Sequence, residues 1–158
     1  MAKLTFVGGI HPYDGKDLSK DKPIGDILPG SELVYPLSQH IGAPAKAVVA
    51  KGDRVLAGQK IAESGGFVSA PVYASVSGTV KAIEPRRVVT GDMVMSVVVE
   101  NDGQYETVDF VPLGDPAKLE RQEIVDAIRE AGIVGMGGAG FPTHVKLSPK
   151  EPEKIDYV

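Results

Sequence analysis

The sequence predicts a mainly β fold, a compact barrel or sandwich with a helix and a glycine-rich loop appended. Three observations carry this. From Val34 to Val111 short β-prone runs recur, with glycines between most of them. A Gly-Asp-x-Val turn at Gly52 partly repeats at Gly91. After Asp115 the pattern changes to a helical period, with Ile124, Ile128 and Ala131 on one face and Val125 beside them.

Taken in order, residues 1–33 read as an ordered arm. Breakers crowd it (Gly8-Gly9, Pro12, Gly15, Gly25, Pro29-Gly30), Thr5 to Val7 suggest one short strand, and Ile24, Ile27, Leu28, Leu33 and Val34 offer anchors for packing. Residues 34–111 form the β domain. Its runs are Val34 to Leu37, Ala47 to Val49, Lys60 to Ala62, Phe67 to Ser69, Gly78 to Ile83 and Met95 to Val99. With corners at Lys51 to Gln59 and at Ser75 to Val80, this is similar to the barrel-sandwich hybrid of biotinyl and lipoyl domains, a flattened barrel of two quasi-equivalent halves. Residues 112–158 hold a helix, a glycine-rich loop and a first strand at Ile155 to Val158, which reads as the truncated start of a further α/β domain. Asp115 and Pro116 suit the N-cap and first position of the helix. Gly132 suits its C′ position.

The chain of 158 residues is 42% hydrophobic and 24% charged, enough for a real core in one medium domain or a small domain plus part of another. A net charge of −4, with Arg86-Arg87 as the only basic doublet, argues against a nucleic-acid partner. The absence of cysteine excludes disulfides, thiolate zinc sites and iron–sulfur ligation by this chain. No apolar run reaches the ~18–20 residues that cross a bilayer, so the chain is expected to be soluble by itself.

Gly135 to Leu147, reading GMGGAGFPTHVKL, is the most informative stretch. Four glycines and one alanine within Gly135 to Gly140 leave almost no side-chain screen over the backbone. Such a loop can take positive φ and let a flat or phosphorylated ligand approach its N–H groups. Phe141 adds a stacking face and Lys146 a cation. No Gly-Lys-Ser/Thr closes the loop, so it is not a Walker motif, nor is it a dinucleotide fingerprint. The plain alternative is a glycine turn that ends a helix.

The loop resembles the GxGGAGFPTxxK signature of the complex I flavoprotein, and more closely the RnfC family of the Rnf electron transport complex. Gly8 to Pro12, Pro36 to Pro44 and Lys51 to Lys60 resemble the same RnfC family in the same order. The resemblance implies an N-terminal portion of one component of a membrane-associated, ion-translocating ferredoxin:NAD oxidoreductase, moving electrons between NAD(H) and iron–sulfur centres through FMN. It implies FMN and NAD(H) as cofactors, with 4Fe-4S clusters on cysteines outside this chain. It also implies partnership with the other Rnf subunits, ferredoxin met indirectly, and a peripheral position on the cytoplasmic face of the inner membrane. By the same resemblance Gly135, Gly137, Gly138, Ala139 and Gly140 would pack close to FMN, Lys146 would direct charge to the flavin, and Phe141 would stack on the nucleotide's adenine. Met136 stands where the complex I flavoprotein has arginine, so that arginine's role does not transfer.

Two rivals belong to other classes. A swinging-arm carrier needs a lysine at the hairpin tip, expected at Glu63 to Phe67, and none is there; Lys51 and Lys60 read as solvated turn charges. A non-catalytic barrel-sandwich interaction module fits the isolated chain, which is expected to be inactive alone. His11, His40 and His144 lack metal or triad spacing and read as hydrogen-bonded structural residues, with His144 worth testing because it lies inside the loop segment.

Overall fold

Two long strands carry most of the ladder in the computed structural model, which describes residues 8–10 and 12–155. Strand β6 (Gly78–Arg87) and strand β7 (Met93–Asn101) pair antiparallel, from Gly78 opposite Asn101 to Arg87 opposite Met93. A register shift between Val80 and Ala82 bends β6, the usual effect of a bulge, and lets the sheet curl. Strand β1 (Glu32–Pro36) adds to the free edge of β7, and the short β3 (Arg54–Val55) to that of β6. The second sheet has β2 (Lys46–Ala47), β4 (Lys60–Glu63) and β5 (Val72–Tyr73), with β4 in the middle.

The core lies between the two sheets and draws on both. Tyr35, Val55, Val80, Val97 and Val99 from one meet Ile61, Ala62 and Val72 from the other, joined by Val76. Burying each valine or isoleucine contributes about 1.5–3 kcal/mol, and their stiff, branched side chains suit pleated backbone. Mostly small residues fill this space, so the barrel is flat. The barrel-sandwich expectation is met.

Several local expectations need correction. Phe67 to Ser69 is not a strand. Its polar groups serve irregular partners instead: the Val68 carbonyl accepts from Ala43 N–H, and Ser69 Oγ accepts from Gly65 N–H. The edge strand lies later, at Val72–Tyr73. In the arm, Ile24, Ile27 and Leu28 are exposed rather than packed, Val34 is exposed to a lesser degree, and of the expected anchors Leu33 is the one set against the core. The strand expected at Thr5 to Val7 lies outside the described residues.

Asp115 does cap a helix, accepting from Ala117 N–H, but that helix is a single 3₁₀ turn, Pro116–Lys118. Helix α1 (Arg121–Glu130) starts after it, with Glu120 and Glu123 forming a reciprocal capping box. The residue α1 buries is Val125, whereas Ile124 is exposed, because only the Val125 face meets α2 (Thr143–Lys146) and the barrel. Gly132 ends α1 as expected, at φ 68°. A Cβ there would stand 2.8 Å from the Pro71 carbonyl oxygen, so glycine also allows close approach to the barrel. Ile155 is half exposed after the 3₁₀ turn Pro152–Lys154, and the rest of the expected terminal strand lies outside the described residues.

Candidate functional site: an open glycine loop at a barrel-walled cleft

The glycine segment is a closed loop with a pinned stem and a bare tip. Val134 and Pro142 form an antiparallel bridge, Gly135 N–H donates to the Phe141 carbonyl at 3.0 Å, and Thr143 N–H donates to the Ile133 carbonyl at 3.0 Å. One side of the stem is fixed to the barrel, since Ile41 N–H donates to the Ala139 carbonyl at 2.9 Å. Gly140 sits at φ 64°, and a Cβ on it would approach the Gln39 carbonyl oxygen to 2.9 Å. Glycine is therefore required there by conformation and by space.

Gly137 and Gly138 differ. A Cβ on either would meet nothing within 4 Å, and neither residue has positive φ. The expected left-handed backbone is thus confined, within this loop, to Gly140. Among the described residues, the N–H groups of Gly137, Gly138 and Ala139 donate to no protein acceptor. Met136, 97% exposed, stands at the tip. The loop faces a cleft of about 1050 Å³. Gly135, Gly138, Ala139 and Gly140 line it together with residues of β1, the adjoining segment Gln39 to Ile41 and the turn between β6 and β7.

The remaining expected site residues fall beside this cleft. Phe141 is half buried in the closing bridge of the loop. Lys146 is exposed on α2, and its Nζ lies 2.9 Å from where a Gly135 Cβ would stand. A cation is thus folded onto the loop stem, near free backbone donors. That combination suits an anionic group.

Both described histidines are buried and make ring contacts to backbone groups. His40 is buried; its Nε2 accepts from Ala70 N–H at 3.0 Å, which leaves Nδ1 to donate to the Ile41 carbonyl at 3.1 Å. His144 faces the barrel, away from the glycine tip. Its Nε2 lies 3.1 Å from the Phe67 carbonyl, and its ring meets the Phe67 ring edge-on at 6.2 Å. His11 lies outside the described residues.

The barrel and α1 are joined by charge as well. Lys60 Nζ lies 2.5 Å from Glu130 Oε2, and the Tyr73 hydroxyl donates to the Glu130 carbonyl. The Lys60 ion pair holds the Glu130 carboxyl below its ordinary range, and the same bond raises Lys60. Burial raises the Tyr73 phenol. Lys60 is therefore an ion-paired strand residue, not a solvated turn charge, while Lys51 does lie exposed in a turn. The expected carrier tip is not a free tip either. Gly65 is packed so tightly that a Cβ would stand 1.9 Å from the Pro44 carbonyl oxygen, and Phe67 contacts His144.

Sequence reasoning missed the second wall of the cleft. Arg87, Val88, Val89, Thr90 and Asp92 come from the β6–β7 turn. The sequence signals there are the Gly91-Asp92 turn and the Arg86-Arg87 doublet, which is too small to mark a nucleic-acid surface but large enough to supply a single cation. Among the described residues, no cluster of three or more histidines or carboxylates could hold a metal ion. No described helix is long and apolar enough to cross a membrane.

Comparison with known proteins matches both parts of this architecture. Residues 4–104 match the family model of the RnfC barrel sandwich hybrid domain, and residues 128–158 match that of the Nuo51 FMN-binding domain. The chain is 47% identical over 156 residues to the C component of a Na(+)-translocating ferredoxin:NAD(+) oxidoreductase complex of Acetobacterium woodii, with 98% of this chain and 35% of that protein covered. It is 47% identical to a proton-translocating counterpart of Clostridium ljungdahlii, covering 96% of this chain and 34% of the relative. The C component of an ion-translocating oxidoreductase complex of Vibrio cholerae is 42% identical, covering 90% of this chain and 19% of the relative. The chain thus spans about a third or less of the length of these relatives. A match over most of its length, on a barrel whose two sheets close as that domain's name describes, places the chain in the RnfC family.

Proposed function

We propose that this chain is the N-terminal part of the RnfC component of an ion-translocating ferredoxin:NAD oxidoreductase, and that its glycine loop is part of an FMN site. One observation carries the site assignment. Gly137 and Gly138 hold open space and free N–H groups at the edge of a large cleft, in the segment that matches an FMN-binding domain. Glycines that only ended a helix would have no reason to leave such a tip bare; Gly132 and Gly140 already meet the needs of the turn and of packing.

In this reading the boundaries are an arm at 1–33, a barrel at 34–111 and the start of the flavin domain at 112–158. When bound, FMN would supply a ring able to exchange hydride with the nicotinamide nucleotide and single electrons with 4Fe-4S clusters held outside this chain. The chain's own residues bind and orient. The N–H groups of Gly137, Gly138 and Ala139 take an anionic or carbonyl edge, and Lys146 adds positive charge beside Gly135. Phe141, half buried, shapes the stem and offers an aromatic edge to the nucleotide. The barrel holds the loop in place through Ile41, Gln39 and the Phe67–His144 contact. The other members of the complex are its partners, ferredoxin is met through them, and its position is peripheral on the cytoplasmic face of the inner membrane. A non-catalytic interaction role for the barrel is compatible with this, and exposed Phe110, Val111 and Leu113 beyond its last strand favour it as a second duty.

Flavin titration of the full-length protein tests the assignment. Gly138→Val should abolish FMN retention while the barrel stays folded, because the side chain fills space the protein itself leaves empty. Lys146→Ala should weaken FMN by roughly ten- to a hundredfold, the effect of one charge-assisted contact. Unchanged affinity in Gly138→Val would sink the cradle and leave the interaction module.

A further inference from the structure

The cleft has walls from two parts of the chain, and one of them carries an unused cation. Arg86 and Arg87 are neighbours at the end of β6, yet their surroundings differ. Arg86 is held by Glu32 at 3.1 Å and Glu84 at 2.8 Å. Arg87 has no carboxylate partner: among the described residues it makes no ion pair or side-chain hydrogen bond, and it lines the same cleft as the glycine loop. Asp92 lines the same cleft; its carboxylate accepts from the Thr90 hydroxyl at 2.8 Å and makes no ion pair with Arg87. The same lining includes Val34, Ile41, Val88 and Val134 beside the polar Ser38, Gln39 and Thr90.

A largely apolar cleft lined both by an arginine without a carboxylate partner and by a loop with free N–H groups matches a flat ring system bearing a phosphate ester. The cleft volume of about 1050 Å³ is ample for such a ligand, since small-molecule sites run roughly 300–1000 Å³. Guanidinium is also the side chain best shaped to take two phosphate oxygens at once. We propose that Arg87, on the barrel, binds the phosphate of a nucleotide seated against the glycine loop. The barrel then belongs to the ligand site and does more than support it. This rests on the glycine loop being a nucleotide cradle.

Two nucleotides could bring that phosphate, the flavin mononucleotide and the nicotinamide dinucleotide, and the test separates them. The full-length protein, wild type and Arg87→Gln, is titrated in apo form with FMN and with riboflavin, which lacks the phosphate. Each is then titrated with NADH after loading with flavin. A roughly tenfold loss for FMN with riboflavin unchanged assigns Arg87 to the flavin phosphate. A roughly tenfold loss for NADH alone, shrinking as salt screens the exposed charge, assigns it to the dinucleotide. Either result supports the proposal, and Arg87→Lys should recover part of the loss. Arg86→Gln should leave all three affinities unchanged, because its charge is already paired. Equal affinities of wild type and Arg87→Gln for all three ligands overturn the role of Arg87 while leaving the cradle standing. A wild-type protein that takes up no FMN fails the cradle itself, so the two failures are distinguishable.

Discussion

Two glycine pairs in this chain look alike in the sequence and behave in opposite ways. Gly65-Gly66 lies in the connection from β4 to β5, with a Cβ on Gly65 placed 1.9 Å from the Pro44 carbonyl oxygen and one on Gly66 placed 3.2 Å from Ala43 Cβ. Gly137-Gly138 lies at the tip of the loop before α2, and a Cβ on either meets nothing. The first pair is glycine because the protein itself fills the space. The second pair borders open space. A glycine-rich run thus indicates close approach without saying of what, and packing supplies the answer.

The same contrast separates the barrel from the segment that follows it. The barrel closes its own core, with Val55, Ile61, Val97 and Val99 wholly buried. Helix α1 buries only Val125 and is tied down by a few polar bonds. Ile61→Ala should therefore produce the largest stability change, about 2–5 kcal/mol from lost burial and a cavity, whereas Val125→Ala should lose about 1.5 kcal/mol. Urea unfolding of the two variants checks this; similar losses would mean that barrel and helix share one core.

Gly65→Ala should come next, destabilising by about 1–3 kcal/mol because backbone, not a flexible side chain, must move. Gly138→Ala should stay within about 0.5 kcal/mol of the parent, as open surface positions do. If the two alanine variants melted alike, the distinction between the pairs would collapse.

The smallest expected effect is a pH dependence. The Glu130 carboxyl is held below its ordinary value of 4.5, first by the bond to Lys60. A lowered folded-state value means that its stabilisation is present above pH 4.5 and fades as the pH falls through the folded value. The pair is largely exposed, so the change should be slight. Relative to the intrinsic exchange rate at each pH, protection of the α1 amides should fall below pH 4.5 before that of the barrel strands, and Glu130→Gln should remove that acid dependence. Barrel and helix amides losing protection together would contradict a separate, charge-tied attachment.

Much of this was legible from local chemistry. Gly-Asp at Gly52 and Gly91 marked turns, β-prone runs marked β6 and the valine-rich β7, and Gly132 marked the end of α1, because those features depend on neighbours in the chain. Local signals misled where longer contacts decided. Phe67 to Ser69 has strand-like residues, but Ala43 and Gly65 take their hydrogen-bonding partners from it. Asp115-Pro116 caps a turn, but the helix waits for the Glu120–Glu123 box.

By itself, then, the sequence determined the mainly β architecture, the position of the turns and the bareness of Gly135 to Gly140, since side-chain size, branching and backbone freedom are local properties. Only the tertiary structure decided which glycines face protein and which face open space, that His144 turns to Phe67, and that Arg87 lines the same cleft as the loop. The barrel and the glycine loop lie far apart along the chain. What brings them together is the Ile41–Ala139 bond, the Gly140 contact and the Lys60–Glu130 pair, and such long-range packing leaves no periodicity for a sequence to display.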